Sequence, residues 1–178
     1  MSAHDPRLAL LRARVRDVPD FPKPGILFRD LTPLMGDGAA MRACVDLLAE
    51  RIAPLNADVV VAVESRGFIF GAPVAAALGL GFAPVRKPGK LPHKTLRRTY
   101  DLEYGTDSLE MHDDAVAKGQ RVLIVDDLLA TGGTAKATVD LVTRLGGTVH
   151  ALAFLIELVA LNGRQRLGNH TLHTVLKY

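Results

Sequence analysis

The chain has 178 residues, with 22 Lys plus Arg against 19 Asp plus Glu and a formal net charge of +3. Its 48% hydrophobic and 23% charged residues fit one globular domain and exclude a disordered, collagenous or coiled-coil chain. One cysteine, Cys44, excludes a disulfide framework and a cysteine-based zinc site.

The first apolar run, Leu8 to Leu11, is too short for the core of a secretory signal, so no leader is expected. Arg7 to Arg16 carries apolar residues at Leu8, Leu11 and Val15, a helical stripe. Val18 to Asp37 is rich in Pro and Gly and reads as loop with room for one short strand. Asp37 is a helix N-cap for Gly38 to Ile52, whose stripe places Cys44 in the core as a buried thiol. Asp58 to Val63 is a β-branched run suited to a strand covered on both faces, followed by the turn Glu64-Ser-Arg-Gly67.

Phe68 to Val85 carries no charge over 18 residues, the lower limit for a membrane span. Gly71, Pro73, Gly79, Gly81 and Pro84 divide it into a buried helix, a turn and a strand at Phe82 to Arg86, so no membrane span and a cytoplasmic protein are expected. Residues 87 to 107 are the longest polar break and read as a long loop, the usual form of a lid. Arg121 to Val125 is a second buried strand, Ala135 to Leu145 a helix, and Thr148 to Ile156 a further strand. Strand, loop and helix thus occur twice, the signature of βαβ units and a mostly parallel sheet in an α/β fold.

Chemistry concentrates in Val122-Leu-Ile-Val-Asp-Asp-Leu-Leu-Ala-Thr-Gly-Gly-Thr134. A buried strand leads into Asp126 and Asp127. Ala130, Thr131, Gly132, Gly133 and Thr134 then open a helix. Glycines let successive N–H groups point at one spot, and the helix N-terminus adds positive potential. Two threonine hydroxyls complete a cradle for a phosphate monoester. The loop lacks the Lys of a Walker A motif and the spacing of G-x-G-x-x-G. The two carboxylates suit the 2′- and 3′-hydroxyls of a ribose whose 5′-phosphate lies in the loop. At the other strand end, Glu64, Ser65 and Arg66 stand where open α/β sheets bind ligands. Arg86, Lys87, Lys90, Lys94, Arg97 and Arg98 crowd one stretch. With so small a net charge and only Tyr100 and Tyr104 to stack on bases, this suits a small polyanion and not a nucleic acid. The six histidines show no metal spacing.

The Val122–Thr134 run resembles the phosphoribosyl-diphosphate signature of the type I phosphoribosyltransferases. Phe21-Pro-Lys-Pro-Gly-Ile-Leu-Phe-Arg-Asp30, Glu64-Ser-Arg-Gly-Phe68 and Leu102-Glu-Tyr-Gly105 are similar to the adenine branch of that family. The resemblance covers nearly the whole chain. It implies a single domain over 1–178, with a parallel sheet flanked by helices, a small hood at 18–37 and a lid at 87–107. It implies transfer of the phosphoribosyl group of 5-phosphoribosyl 1-diphosphate to adenine, giving AMP and diphosphate. The Glu64–Gly67 turn, often of unusual peptide geometry, would hold the diphosphate with Arg66 as a bidentate ligand, and Arg86, Lys87 and Lys90 would reach it. Tyr104 would join the same site, and Glu103 would handle a proton of the base. Leu27, Phe28, Arg29 and Leu158 would hold adenine, with Glu157 beside them. Mg²⁺ would ride on the diphosphate without a direct protein ligand. The family is usually dimeric, so a homodimer is expected. Two alternatives stay open: a transferase for another purine base, and a non-enzymatic phosphoribosyl-diphosphate sensor.

Overall fold

The computed structural model describes residues 5–101 and 106–178, apart from the side chain of Asp101. Helix α1 (Pro6–Arg14) is capped by Asp5, whose carboxylate accepts from Arg7 N–H, and Leu11 is its buried residue. The helix ends two residues before the predicted Arg16, because Arg16 opens a strand. That strand, β1 (Arg16–Pro19), pairs antiparallel with β2 (Leu27–Asp30). The segment expected as loop is therefore a small hairpin followed by a one-turn helix, α2 (Thr32–Met35). Two short strands satisfy each other's backbone groups here without an apolar run to announce them.

Helix α3 (Gly38–Ile52) has the predicted bounds. Asp37 accepts from the N–H groups of Ala39 and Ala40, satisfying two orphan donors of the first turn. Cys44 is buried, and burial pushes its thiol up to about 12. Strand β3 (Val59–Val63) leads into α4 (Arg66–Leu78) and β4 (Gly81–Val85). No helix among the described residues is long and apolar enough to cross a membrane.

The stretch read as a long loop runs from residue 95 into a second antiparallel hairpin, β5 (Thr95–Asp101) with β6 (Thr106–His112). Its polar sequence hides the strands because the face turned to the protein carries Arg98 between Leu96 and Tyr100. Arg98 is accommodated there by pairing with Asp140 at 3.0 Å. Backbone bonds between Arg86 and Glu110 fasten the hairpin to the end of β4.

Next come β7 (Arg121–Leu129), α5 (Gly133–Arg144), β8 (Thr148–Glu157), α6 (Gly163–Arg166) and β9 (Leu172–Lys177). Five strands form one sheet in the order β4-β3-β7-β8-β9, all parallel. Alternation along its buried strands supplies two cores. Val60, Leu123, Val125, Ala151 and Leu155 face a layer with α3 and α4. Val59, Val61, Ile124, Leu152 and Phe154 face α5 and the β6 residues Leu109 and Met111. Helix α4 thus leaves β3 on one face while α5 leaves the adjacent β7 on the other. The gap between β3 and β7 is a topological switch point, where open α/β sheets bind ligands beyond the carboxyl ends of their strands.

Candidate active site

The register Ala62 beside Val125 sets the two strand ends level. It places Glu64–Arg66 opposite Asp126 and Asp127 across a cavity of about 380 Å³. Strand β7 runs on past the two carboxylates to Leu129, so both are held on rigid backbone and not in a turn. Gly67 permits this closeness, since a β-carbon there would lie 2.6 Å from Asp126 Oδ1.

The carboxylates differ in surroundings. Asp127 is 6% exposed. Arg66 Nε lies 2.7 Å from its Oδ2, although among the described residues no aligned hydrogen bond reaches that oxygen. A buried acceptor without an aligned donor is ready to accept from a hydroxyl. Asp126 Oδ1 accepts from Asp127 N–H at 2.9 Å. Desolvation by the surrounding protein, and then the charge of Asp127, push the Asp126 carboxyl well above the usual range.

Residues Ala130 to Thr134 form the cavity's second side. Gly132 has φ +82° and caps α5, a conformation that suits glycine. The first-turn amides of α5 have no intrahelical acceptor, as at any helix start, and are free for an anion. Gly163 of α6 packs against the loop, a support that sequence reading missed. Tyr100 is a second omission. Its hydroxyl lies 3.2 Å from Thr134 Oγ1, and its ring lies against Gly133.

The Glu64–Ser65 peptide bond is cis, the unusual geometry expected of this turn. Glu64 is an anchor for cations. Its oxygens accept from Arg86 Nε and Lys90 Nζ, each at 2.6 Å. Burial opposes its ionisation, but these two cations outweigh burial and hold its carboxyl below the usual range. Lys87 pairs with Asp107 on the hairpin. Arg86, Lys87 and Lys90 therefore each rest on a carboxylate partner, and of these partners Glu64 lines the cavity.

The hood reaches the site through Phe28, whose ring lies 5.9 Å from the Arg66 guanidinium carbon and packs edge-on against Phe21. Arg29 pairs with Asp17 and stacks on Tyr178, 4.2 Å to the ring centroid. Tyr178 O accepts from Val159 N–H, so the chain's last residue links the hood to the segment bearing Leu158. Leu158 is half-buried, whereas Leu27 is 47% exposed. Buried Glu157 pairs with Arg164 and accepts from Thr174, so its carboxylate faces these groups. Glu103 and Tyr104 lie outside the described residues. Among the described residues, the one group of three that could hold a metal ion is His93, Asp113 and Asp114, none of which lines the cavity.

The phosphoribosyl transferase domain model matches residues 35–168. The chain is 54% identical over 168 residues to an adenine phosphoribosyltransferase of Thermotoga neapolitana, covering 94% of this chain and 99% of the relative. This chain belongs to the adenine phosphoribosyltransferase family. A crystal structure of the enzyme from Thermoanaerobacter pseudethanolicus superposes with a TM-score of 0.94 at 51% identity, covering 96% of this chain and 99% of that one. The enzyme from Saccharomyces cerevisiae, solved with an imino-altritol bisphosphate and adenine, gives 0.90 at 39% identity, with the same coverage. The type I phosphoribosyltransferase fold is thus the fold of this family member.

Proposed function

We propose that the cavity transfers a phosphoribosyl group from 5-phosphoribosyl 1-diphosphate to adenine, releasing diphosphate and forming AMP. One observation carries this reading. Two anion seats, the Ala130–Thr134 loop and the Glu64–Arg66 turn, flank two carboxylates in one cavity. A sugar bearing a phosphate at one end and a diphosphate at the other, with two hydroxyls between, has that shape.

In this reading the loop amides and the hydroxyls of Thr131 and Thr134 hold the 5′-phosphate. Asp126 and Asp127 accept from the ribose hydroxyls and keep the ring in one orientation. Arg66 exchanges its contact with Asp127 for the diphosphate, and Lys87, Arg86 and Lys90 turn to it from their carboxylates. The diphosphate arrives with Mg²⁺, which when bound spreads the leaving group's charge. The C1–oxygen bond breaks, leaving oxocarbenium character on the sugar, and the adenine nitrogen attacks from the opposite face. Electrostatic preorganisation and positioning supply most of the rate. Phe28 and Leu158 offer apolar cover for the base, with Leu27 and Arg29 beside them. Glu103 handles the base proton, and the 87–107 segment with its hairpin shields the sugar cation from water.

The protein works as a cytoplasmic homodimer in this reading. The test is AMP formation from adenine, with and without 5-phosphoribosyl 1-diphosphate and Mg²⁺. AMP only in the complete mixture is the expected result, and none in any mixture overturns the reading.

A further inference from the structure

The proton count around Tyr100 has a consequence for the phosphate loop. Tyr100 O–H donates to Asp107 Oδ2 at 3.2 Å, and the same oxygen lies 3.2 Å from Thr134 Oγ1. Asp107 is held ionised: burial opposes its charge, but Lys87 and the N–H of Ser108 outweigh that. An ionised carboxylate only accepts, and a tyrosine has a single proton. With that proton spent on Asp107, the contact to Thr134 forms only if the threonine donates its own. Thr134 lines the cavity, yet its hydroxyl proton is turned away from the cavity and toward the hairpin.

We propose that Tyr100 is a positioning residue that latches the β5–β6 hairpin onto the phosphate loop, and that a phosphate entering the loop costs its hydroxyl one of its two hydrogen bonds. The proposal rests on the loop being a phosphate seat. A phosphate dianion also only accepts, so Thr134 must turn its proton to the ligand. Tyr100 then either transfers its own proton from Asp107 to Thr134 or loses Thr134. One of the two hydrogen bonds of the Tyr100 hydroxyl, the one across the hairpin to Asp107 or the one to the loop, is given up in either case. Phosphate binding therefore loosens the hydroxyl's hold, on the loop or across the hairpin, while Arg98–Asp140 and Arg86–Glu110 keep the hairpin in place. It also carries a cost that the unlatched loop would not have.

Ribose 5-phosphate alone is the probe, with its dissociation constant measured by calorimetry. Tyr100→Phe keeps the ring on Gly133 and removes the latch. It should bind ribose 5-phosphate about three- to tenfold tighter than the parent, the span of one net hydrogen bond. Thr134→Val should bind it more weakly, and adding Tyr100→Phe to Thr134→Val should bring no further gain. Hydrogen exchange gives a second readout. Ribose 5-phosphate should speed amide exchange in β5 of the parent and leave it unchanged in Tyr100→Phe. A ring with a merely structural role predicts equal or weaker binding in Tyr100→Phe, and that result overturns the latch. If Thr134→Val binds as the parent does, the phosphate seat itself is misplaced, which is a separate failure.

Discussion

Gly132 and Gly163 approach so closely that neither has room for a β-carbon. One on Gly132 would fall 2.5 Å from Gly163 O, and one on Gly163 would fall 2.2 Å from Ala130 O. The phosphate loop is thus moulded on α6, an element some 30 residues further along the chain. Gly163→Ala must push Ala130 and the cradle aside. Displacing a catalytic group by about 1 Å can cost on the order of 10²-fold. We expect kcat/KM for 5-phosphoribosyl 1-diphosphate to fall by about that factor, with the far-UV circular dichroism spectrum retained. Wild-type kinetics in this variant would show that the loop does not need its α6 support.

Asp126 and Asp127 should separate function from stability. A folded-state pKa raised above the unfolded value means that folding disfavours the charged carboxylate. Any stability linked to the protonated form is present at low pH and lost as pH rises through the folded value. At neutral pH a neutral isostere at position 126 removes that penalty and can still accept from Asp127 N–H. Asp126→Asn should therefore raise Tm, by about 2–4 °C for each kcal/mol relieved at this chain length, while turnover falls. Asp127→Asn leaves Arg66 without its partner and removes a charge-assisted bond to ribose, worth roughly 1.5–3 kcal/mol. The double variant should be inactive yet folded. Near-normal activity would remove the ribose role, and a lower Tm for Asp126→Asn would contradict its raised pKa.

Acid should unfold the protein through other carboxylates. Hydrogen bonds from Arg164 and Thr174 hold buried Glu157 below the usual range. The N–H of Gly89 and the guanidinium of Arg97 do the same for buried Glu110. A depressed folded pKa gives stability that is complete above the unfolded value, about 4.3 for Glu, and lost as pH falls through the folded one. The contribution of these two carboxylates to Tm should hold steady from pH 7 to about 5 and be lost below about 4. In Glu157→Gln the drop should be shallower, and an identical acid profile would exclude Glu157 as a contributor.

The sequence exposed what local chemistry controls and concealed what distant contacts control. Asp37 and the stripe through Cys44 fix α3 because cap and periodicity lie within one segment. The β-branched runs of β3 and β7 mark buried strands for the same reason, and the Asp126 to Thr134 run follows directly from one of them. The β5–β6 hairpin escaped because Arg98 breaks its apolar face, and its partner Asp140 stands on α5, far along the chain. The β1–β2 hairpin escaped because backbone pairing needs no apolar pattern. Gly163, Tyr100 and Tyr178 carry no motif. Their importance lies in what they touch: a loop carbonyl, the Thr134 hydroxyl and the Arg29 guanidinium.

Base choice tests the hood. Adenine and hypoxanthine differ at position six, where an amino donor replaces a carbonyl acceptor, and the neighbouring ring nitrogen changes from donor to acceptor. Backbone groups of Leu27 to Arg29 that match adenine would meet hypoxanthine donor against donor and acceptor against acceptor. Each buried polar group left unpaired costs roughly 1–3 kcal/mol. Two mismatches imply discrimination of about 10²–10⁴ in kcat/KM, as expected of a site built on hydrogen bonds. Leu158 should add affinity without selectivity, because all purines present similar ring faces. It is held beside the phosphate loop by its N–H bond to Leu129 O at 2.9 Å, so its backbone place survives truncation. Leu158→Ala should raise KM for adenine by about 5- to 30-fold, the equivalent of roughly 1–2 kcal/mol of lost apolar cover. The preference over hypoxanthine should stay within about threefold of the parent value, less than one net hydrogen bond. A large loss of preference in Leu158→Ala would mean that this side chain, and not the hood backbone, reads the base.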